Sequence, residues 1–480
     1  MESLAPSPLS LNLKKDRHFV ILGGGVAGLA TAQALLKRGC RVTLVEKGAE
    51  VGGLARTFTH EGFRFDIGGH RFHSNNPSVV QWIKDLLKTD LRVVPRVSHI
   101  HLGGQFVDYP IRLPNALFFF SPWRAFYMVA SYIKARLVSE KGRREISFED
   151  WVIKRYGKAL YSVFFKPYTE KVWGIPCDQL AASWAFQRIK VLSFWRILKG
   201  FVVPQKEVSE TAISQFYYPR AGFGMIPEAL QQEILDMGGV IYTSTALTHC
   251  IPQDLGFQVV VERQDGTRET LLADRVISTI PLDCLLKAIP SELGSPEILE
   301  KCSLEYRDII CLFLALQKKQ VSQDSWTYFP MKQLLFGRTH EPKNWSEEMV
   351  PSQDFTSLVV EIFSSRGEFT WDLSDSDLLA KVVEQMNEIG WIDKNEVYKS
   401  WVLRVPYAYP VYRIGYQEKL QVVKDYLAQW PTLHLVGRTG AFHYMNSDGV
   451  IEDVFRLVKE LFPEESPEVK PLVSTTGRWL

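Results

Sequence analysis

Near its start the chain reads Phe19-Val-Ile-Leu-Gly-Gly-Gly-Val-Ala-Gly-Leu-Ala30 and then Thr43-Leu-Val-Glu46: a strand, a glycine turn, a helix and a second strand. Gly23, Gly25 and Gly28 stand in the spacing G-x-G-x-x-G directly after a β-branched apolar run. The three glycines answer three separate physical needs, namely a tight turn, room for a pyrophosphate against the backbone, and close packing of helix on strand. Val26 and Ala27 open the helix, so the amides that follow the turn offer partial positive charge to a phosphate. Glu46 closes the second strand at about the twenty-residue distance expected of a carboxylate that bonds a ribose 2′-hydroxyl. A 2′-phosphate would be repelled there, which makes NADP the poorest occupant.

The flanking residues point to a longer cofactor. After Glu46 come Lys47 and a second glycine pair, followed by Gly53-Leu54-Ala-Arg56, where a fold built for NAD alone would run on into another crossover helix. Far down the chain, Leu433-His-Leu-Val-Gly437-Arg438 reads as a late strand. Met445-Asn446-Ser-Asp448-Gly-Val450 then reads as a turn entering a helix, an element that can return to the cofactor. Two such loops suit a two-headed dinucleotide, and non-covalent FAD fits better than NAD.

A chain of 480 residues needs two or three lobes around separate cores. Its 56 basic and 54 acidic residues are interspersed, which excludes a nucleic-acid binder. The six cysteines lack C-x-x-C or histidine partners at zinc spacing, so no metal site is expected and the thiols read as reduced, in a cytoplasmic protein. Residues 1–16 hold no long apolar core and read as a disordered lead-in, and 463–480 as a flexible tail. The aromatic stretch 116–132 is interrupted by Pro122 and Arg124 and is too short to span a bilayer. A buried helix of a substrate lobe is the expectation there; peripheral membrane contact or a lipid-accepting mouth is the alternative.

Alternating strand and helix patterns over 17–92 start a doubly wound α/β sheet. Residues 93–214 read as a mainly helical inserted lobe, with strand patterns gone after about 112. Strand-like runs return over 215–285, with Asp265-Gly266 marking a hairpin turn. A mixed or antiparallel substrate sheet is expected over 286–404, and the cofactor elements close over 405–462. The expected fold is therefore a Rossmann-like, FAD-binding domain of the GR2 type, discontinuous in sequence because its parts lie at both ends of the chain.

Phe63-Arg-Phe-Asp-Ile-Gly-Gly69-His70-Arg-Phe-His-Ser-Asn-Asn76 and Lys166-Pro-Tyr-Thr-Glu-Lys-Val-Trp-Gly174 resemble the UDP-galactopyranose mutases and their protoporphyrinogen-oxidase-like or amine-oxidase-like flavoprotein relatives. The resemblance runs from about 18 to 462. It takes in Tyr217-Tyr-Pro-Arg-Ala-Gly-Phe-Gly224, Leu304-Glu-Tyr-Arg307, Phe336-Gly-Arg338, Tyr407-Ala-Tyr-Pro410 and Gly437-Arg438. It implies reduced FAD that attacks the anomeric carbon of a nucleotide sugar, with no net redox change. Under it His70 lies against the flavin, Arg56 and Arg438 face the cofactor, Arg307 and Arg338 clamp a diphosphate, and Tyr168, Trp173 and Tyr409 line the sugar or nucleotide pocket. Guanidinium groups match diphosphate oxygens bidentately and stay charged in a closed cleft. Each residue also has a duller reading: solvated arginines at strand edges, a packing histidine, core aromatics.

Three functions stay open at this point. One is a mutase acting on a nucleotide- or lipid-diphosphate sugar, with NAD(P)H as a candidate external reductant. The second is an oxidase or dehydrogenase that takes hydride from a hydrophobic or amine substrate. The third is a flavin-bearing assembly partner with no turnover. All three take a small-molecule ligand, and none sets an oligomeric state.

Overall fold

A computed structural model describes residues 17–102, 104–109, 121–137, 145–188 and 214–463. The expected lead-in, all of the expected tail after Pro463, and residues 116–120 of the aromatic stretch lie outside them.

The strand His18–Leu22 is central to a five-stranded parallel sheet, ordered Leu433–Leu435, Arg275–Ser278, His18–Leu22, Arg41–Val45, Val240–Tyr242. Successive side chains of a strand point to opposite faces, and here both faces are covered, so both sets must be apolar. Phe19 and Ile21 pack on one side with the helices Val26–Leu36, Met225–Asp236 and Ser447–Leu461. Val20 and Leu22 pack on the other, with the antiparallel meander Thr245–Gln253, Gly256–Arg263 and Arg268–Ala273 and the helix Leu282–Ala288. The sheet draws its strands from within 17–92, 215–285 and 405–462, as a discontinuous domain requires.

A second, seven-stranded sheet has the order Val397–Pro410, Tyr306–Leu316, Thr356–Ile362, Arg338–His340, Trp326–Tyr328, Ser98–Leu102, Gln105–Asp108. It is antiparallel except where Trp326–Tyr328 runs parallel to Ser98–Leu102, so it is mixed as expected. In Tyr306–Leu316 the residues Ile310, Leu312 and Leu314 face the helix Asp375–Glu388, while Ile309, Cys311 and Phe313 face the hairpin Thr57–His60/Phe63–Asp66. That hairpin ties the two sheets together. Its Asp66 accepts from Tyr218 Oη at 2.6 Å, Thr57 Oγ1 at 2.6 Å and Phe223 N at 3.0 Å. Gly222 and Gly224 make this docking possible, since a Cβ on either would fall within 3 Å of Thr57.

Three expectations need correction. The lobe over 93–214 is not helical from its start: 98–108 form a hairpin that completes the substrate sheet, turning at Gly104 with φ 85°. Local alternation is weak in strands of five and four residues, and the pairing of Ser98–Leu102 with Trp326–Tyr328 joins residues more than two hundred apart. The strand Val397–Pro410 also runs past the expected boundary at 404. The helices Phe148–Leu160, Lys166–Trp173 and Ala182–Arg188 follow in the lobe as anticipated, the first closed by a Ser147/Asp150 capping box. The described part of the aromatic stretch does form a helix, Pro122–Leu137, but not a buried one: among its described side chains Met128 and Tyr132 pack into the lobe's core, while Trp123, Phe126 and Tyr127 are exposed.

Candidate functional site

The glycine turn is built as its spacing demands. Gly23 has φ 101°, and a Cβ there would meet Thr279 Oγ1 at 2.4 Å; a Cβ on Gly28 would meet the Gly23 carbonyl at 2.0 Å. Gly25 differs, since its Cβ position has nothing within 4 Å. It bridges to Gly52, and a Cβ on Gly53, with φ 54°, would lie 3.3 Å from Gly25 Cα, so both glycine loops border the same open space. The helix beginning at Val26 and Ala27 carries no side-chain cap, which leaves its first amides to a ligand. Glu46 accepts from Gly24 N and Gly48 N, each at 2.7 Å, and so ties the glycine turn to the loop on which Lys47 stands exposed.

The closing segment arrives here too. A Cβ on Gly437, with φ 84°, would fall 2.6 Å from Ala27 Cβ, which places the late turn directly over the first helix. Gly437 N donates to buried Asp453 at 3.0 Å. Arg438 donates to the Met445 carbonyl at 2.8 Å and to Ala408 O at 3.3 Å. Asn446 precedes the helix that holds Asp448, whose carboxyl is pushed up by burial, and Val450 in its first turn. Leu54 joins the core under the hairpin, and Arg56 lies 5.0 Å over the Phe58 ring.

His70 follows Gly68 and Gly69, and that glycine pair leaves room for protein side chains. A Cβ on Gly68 would meet the Glu361 carboxylate at 3.2 Å, and one on Gly69 would meet Trp326 Nε1 at 2.1 Å. His70 Nδ1 itself is buried without a hydrogen-bond partner. Burial, and then the Arg438 charge, pull its imidazole down to about 4, so the ring is neutral at pH 7. Open space at Gly25, an uncapped helix start and an orphaned nitrogen on His70 together fit a flavin dinucleotide.

Arg338 stands opposite Glu361 on neighbouring strands, with Nε donating to Oε1 at 2.7 Å and Nη2 to Oε2. Glu361 also accepts from Gly69 N at 3.1 Å. Burial alone would raise this carboxyl, but Arg338 and His340 outweigh it and hold it at about 2. Arg338 in turn acts electrostatically on Tyr168, Tyr409 and His70, so these four sequence candidates share one site. Tyr409 stacks on Tyr444 at 5.5 Å, with the Arg438 guanidinium over both rings. On the helix that carries Tyr168, half-buried Lys171 donates to Phe329 O and Met331 O, and desolvation pulls its ammonium down to about 7.

Two candidates sit differently from expectation. Trp173 is 4% exposed and packs edge-on against Trp184, Tyr409 and Tyr444, behind the wall rather than on it. Arg307, also 4% exposed, donates to Val172 O at 3.0 Å, Ser365 Oγ at 2.9 Å, Phe363 O at 2.5 Å and the Glu368 carboxylate. It therefore clips the end of the Tyr168 helix to the segment 363–368.

Sequence reasoning missed Glu361, Tyr444, Asp453 and Lys171. Glu361 had a signal, a lone carboxylate inside Leu358-Val-Val-Glu-Ile362, because a charge in an apolar strand must have a partner. Lys171 had none, since the carbonyls it bonds lie about 160 residues further on. Among the described residues no cluster suited to a metal ion occurs, no helix is long and apolar enough to cross a membrane, and none of the six cysteines forms a disulfide.

Comparison with known proteins agrees with this geometry. The family description for flavin-containing amine oxidoreductases matches residues 26–469. A probable UDP-galactopyranose mutase of Klebsiella pneumoniae is 29% identical over 180 residues, 35% of this chain and 44% of that protein, so the match spans less than half the length of this relative. The crystal structure of a reduced UDP-galactopyranose mutase superposes with a TM-score of 0.80 at 21% identity, covering 93% of this chain and 94% of that one. Putrescine oxidase bound to putrescine superposes at 0.63 and 15% identity, covering 93% and 99%. With a match over nearly the whole chain, a cradle open at Gly25 and the FAD fold around it, the chain belongs to the flavin-containing amine oxidoreductase family and is a flavin-dependent enzyme.

Proposed function

We propose that the protein, with non-covalent FAD, isomerises a sugar activated by a nucleoside or lipid diphosphate, without net redox change. The observation that carries this reading is Arg338, a guanidinium set among Tyr168, Tyr409 and His70. Reduced FAD, for which NAD(P)H is the proposed donor, supplies the electron-rich ring that the anomeric carbon requires. The chain's own residues do the rest. Arg338 stays charged at any working pH and stabilises a departing diphosphate in a site poor in water. Glu361 fixes the direction of that guanidinium. Tyr168 and Tyr409 offer flat walls to a sugar or base. His70, held neutral, presents a hydrogen-bonding nitrogen without adding charge. Arg307 joins the diphosphate by exchanging Glu368, which is 45% exposed and the most exposed of its partners.

The likeness to a mutase structure supports this reading, and the family's name favours a second one, hydride removal from an amine or a hydrophobic substrate. Arg338 and Arg438 oppose the first of those substrates, because both would repel a protonated amine.

The test is anaerobic. Dithionite-reduced enzyme is expected to convert UDP-galactopyranose to an isomer, and Arg338→Ala to bind UDP about tenfold or more weakly, the scale of a lost charge-assisted contact, while keeping its FAD. Unchanged UDP affinity in both Arg338→Ala and Arg307→Ala, with amine-driven bleaching of the flavin and oxygen uptake, would replace this reading with the oxidase.

A further inference from the structure

The helix Pro122–Leu137 has two apolar faces, and among the described residues only one of them is packed. Met128 and Tyr132 pack on Ala159 and Leu160 of the next helix. On the outer face Trp123 is 82% exposed, Phe126 68% and Leu137 80%, with Ile133 also in solvent. At about 100° per residue, these four and Ala130 fall on one stripe about 80° wide. Lys134 borders the stripe on one side and Arg136 on the other, and both are exposed. Charge follows the same bias, since the sequence holds no acidic residue from Tyr109 to Ser139. A soluble protein gains nothing by exposing such a stripe, which marks an interaction surface.

We propose that this face docks on an anionic lipid surface, with the helix lying in the plane of the interface. Exposed Trp, Phe, Ile and Leu are the side chains that enter the boundary between headgroups and acyl chains, and flanking Lys and Arg are those that meet lipid phosphates. Tyr127, 62% exposed, suits the same depth. The helix is 16 residues long and carries three basic side chains, which fits lying on a bilayer and not crossing one. A second copy of the chain is the poorer occupant: a twofold contact through this helix would set Arg124, Lys134 and Arg136 against their own copies with no acid on the helix to balance them. The helix packs on the one that leads into Tyr168, so docking would place the lobe wall of the site near the lipid surface. The inference stands independently of which substrate the site takes.

Flotation of the FAD-loaded full chain tests it, with vesicles of phosphatidylcholine plus phosphatidylglycerol and with vesicles of phosphatidylcholine alone. Binding is expected to the anionic vesicles and to weaken with salt. Trp123→Glu/Phe126→Glu is expected to reduce it about tenfold or more. Lys134→Glu/Arg136→Glu should cost about fivefold per charge. All variants should keep the wild-type flavin spectrum, which shows that they fold. No flotation of the wild type with anionic vesicles, or variants that float equally well, overturns the proposal. So does a wild-type dimer that ignores vesicles and that Trp123→Glu/Phe126→Glu converts to monomer, since that would assign the face to a second copy.

Discussion

Arg338 and Glu361 meet across neighbouring strands where neither would be tolerable alone. Removing one partner of a buried pair typically costs about 3–5 kcal/mol, because it strands the other charge. Their titrations separate by pH. Glu361, held at about 2, contributes stability that is present above its unfolded value of 4.5 and lost as pH falls toward 2. His70, pulled from 6.5 to about 4, contributes stability that is present above pH 6.5 and lost as pH falls through 4. Asp66, raised by burial to about 6, acts in the opposite sense: its contribution is present below pH 3.8 and is lost as pH rises through 6. Thermal melts at pH 7 and 4.5 should therefore show a smaller acid-induced drop in His70→Gln than in wild type. The full difference is up to about 3 kcal/mol before solvent screening at the exposed edge of the ring. Equal drops in the two proteins would remove His70 from the buried site. At this scale the sequence was readable where a residue acts through its own backbone, as at Gly23, Gly25 and Gly28. It was silent where the cause was a distant side chain: Gly68 and Gly69 make room for Glu361 and Trp326, which lie more than two hundred and fifty residues further on.

Among the elements, the turn Gly437–Gly440 and the helix Ser447–Leu461 have the most to do, because they close the cradle from the far end of the chain. Asp453 joins them by accepting from Gly437 N and from Arg456. Asp453→Ala leaves the Gly437 amide buried and unpaired, and is expected to cost about 1–3 kcal/mol and to loosen FAD retention on desalting. Arg456→Ala removes only the exposed partner and should match wild type in both measurements. If Asp453→Ala retained FAD and melting temperature unchanged, the turn would be held by other means. The late strand and the helix after it were legible because apolar runs and a glycine turn are local signals. The hairpin at 98–108 was not, since short strands are defined by the neighbours they pair with. The outward aromatic face of Pro122–Leu137 was misread as core for a related reason: hydrophobic content does not say whether a face has a partner.

Over the whole molecule, two sheets share one site because the hairpin 57–66 is bonded to the cofactor domain through Asp66 and packed on the substrate sheet through Phe63 and Phe65. The discontinuous domain was deducible from motifs at both ends of one chain, and the five-stranded parallel sheet bears it out. That Arg307 is bound to Val172, Phe363, Ser365 and Glu368 while Arg338 pairs with Glu361 was not deducible, because the two arginines look alike in sequence and differ only in what surrounds them. The central claim is that one flavin dinucleotide is held between the opening and closing portions of the chain, against Gly25 and beneath Gly437. Its most direct test is the visible spectrum of the purified protein and of Gly25→Val, read together with thermal melts with and without added FAD. Yellow wild type that releases intact FAD on denaturation and melts higher with FAD, beside a colourless variant, is the predicted result. A colourless wild type that neither takes up FAD in excess nor melts higher with it, or a Gly25→Val that is fully yellow, would contradict the account.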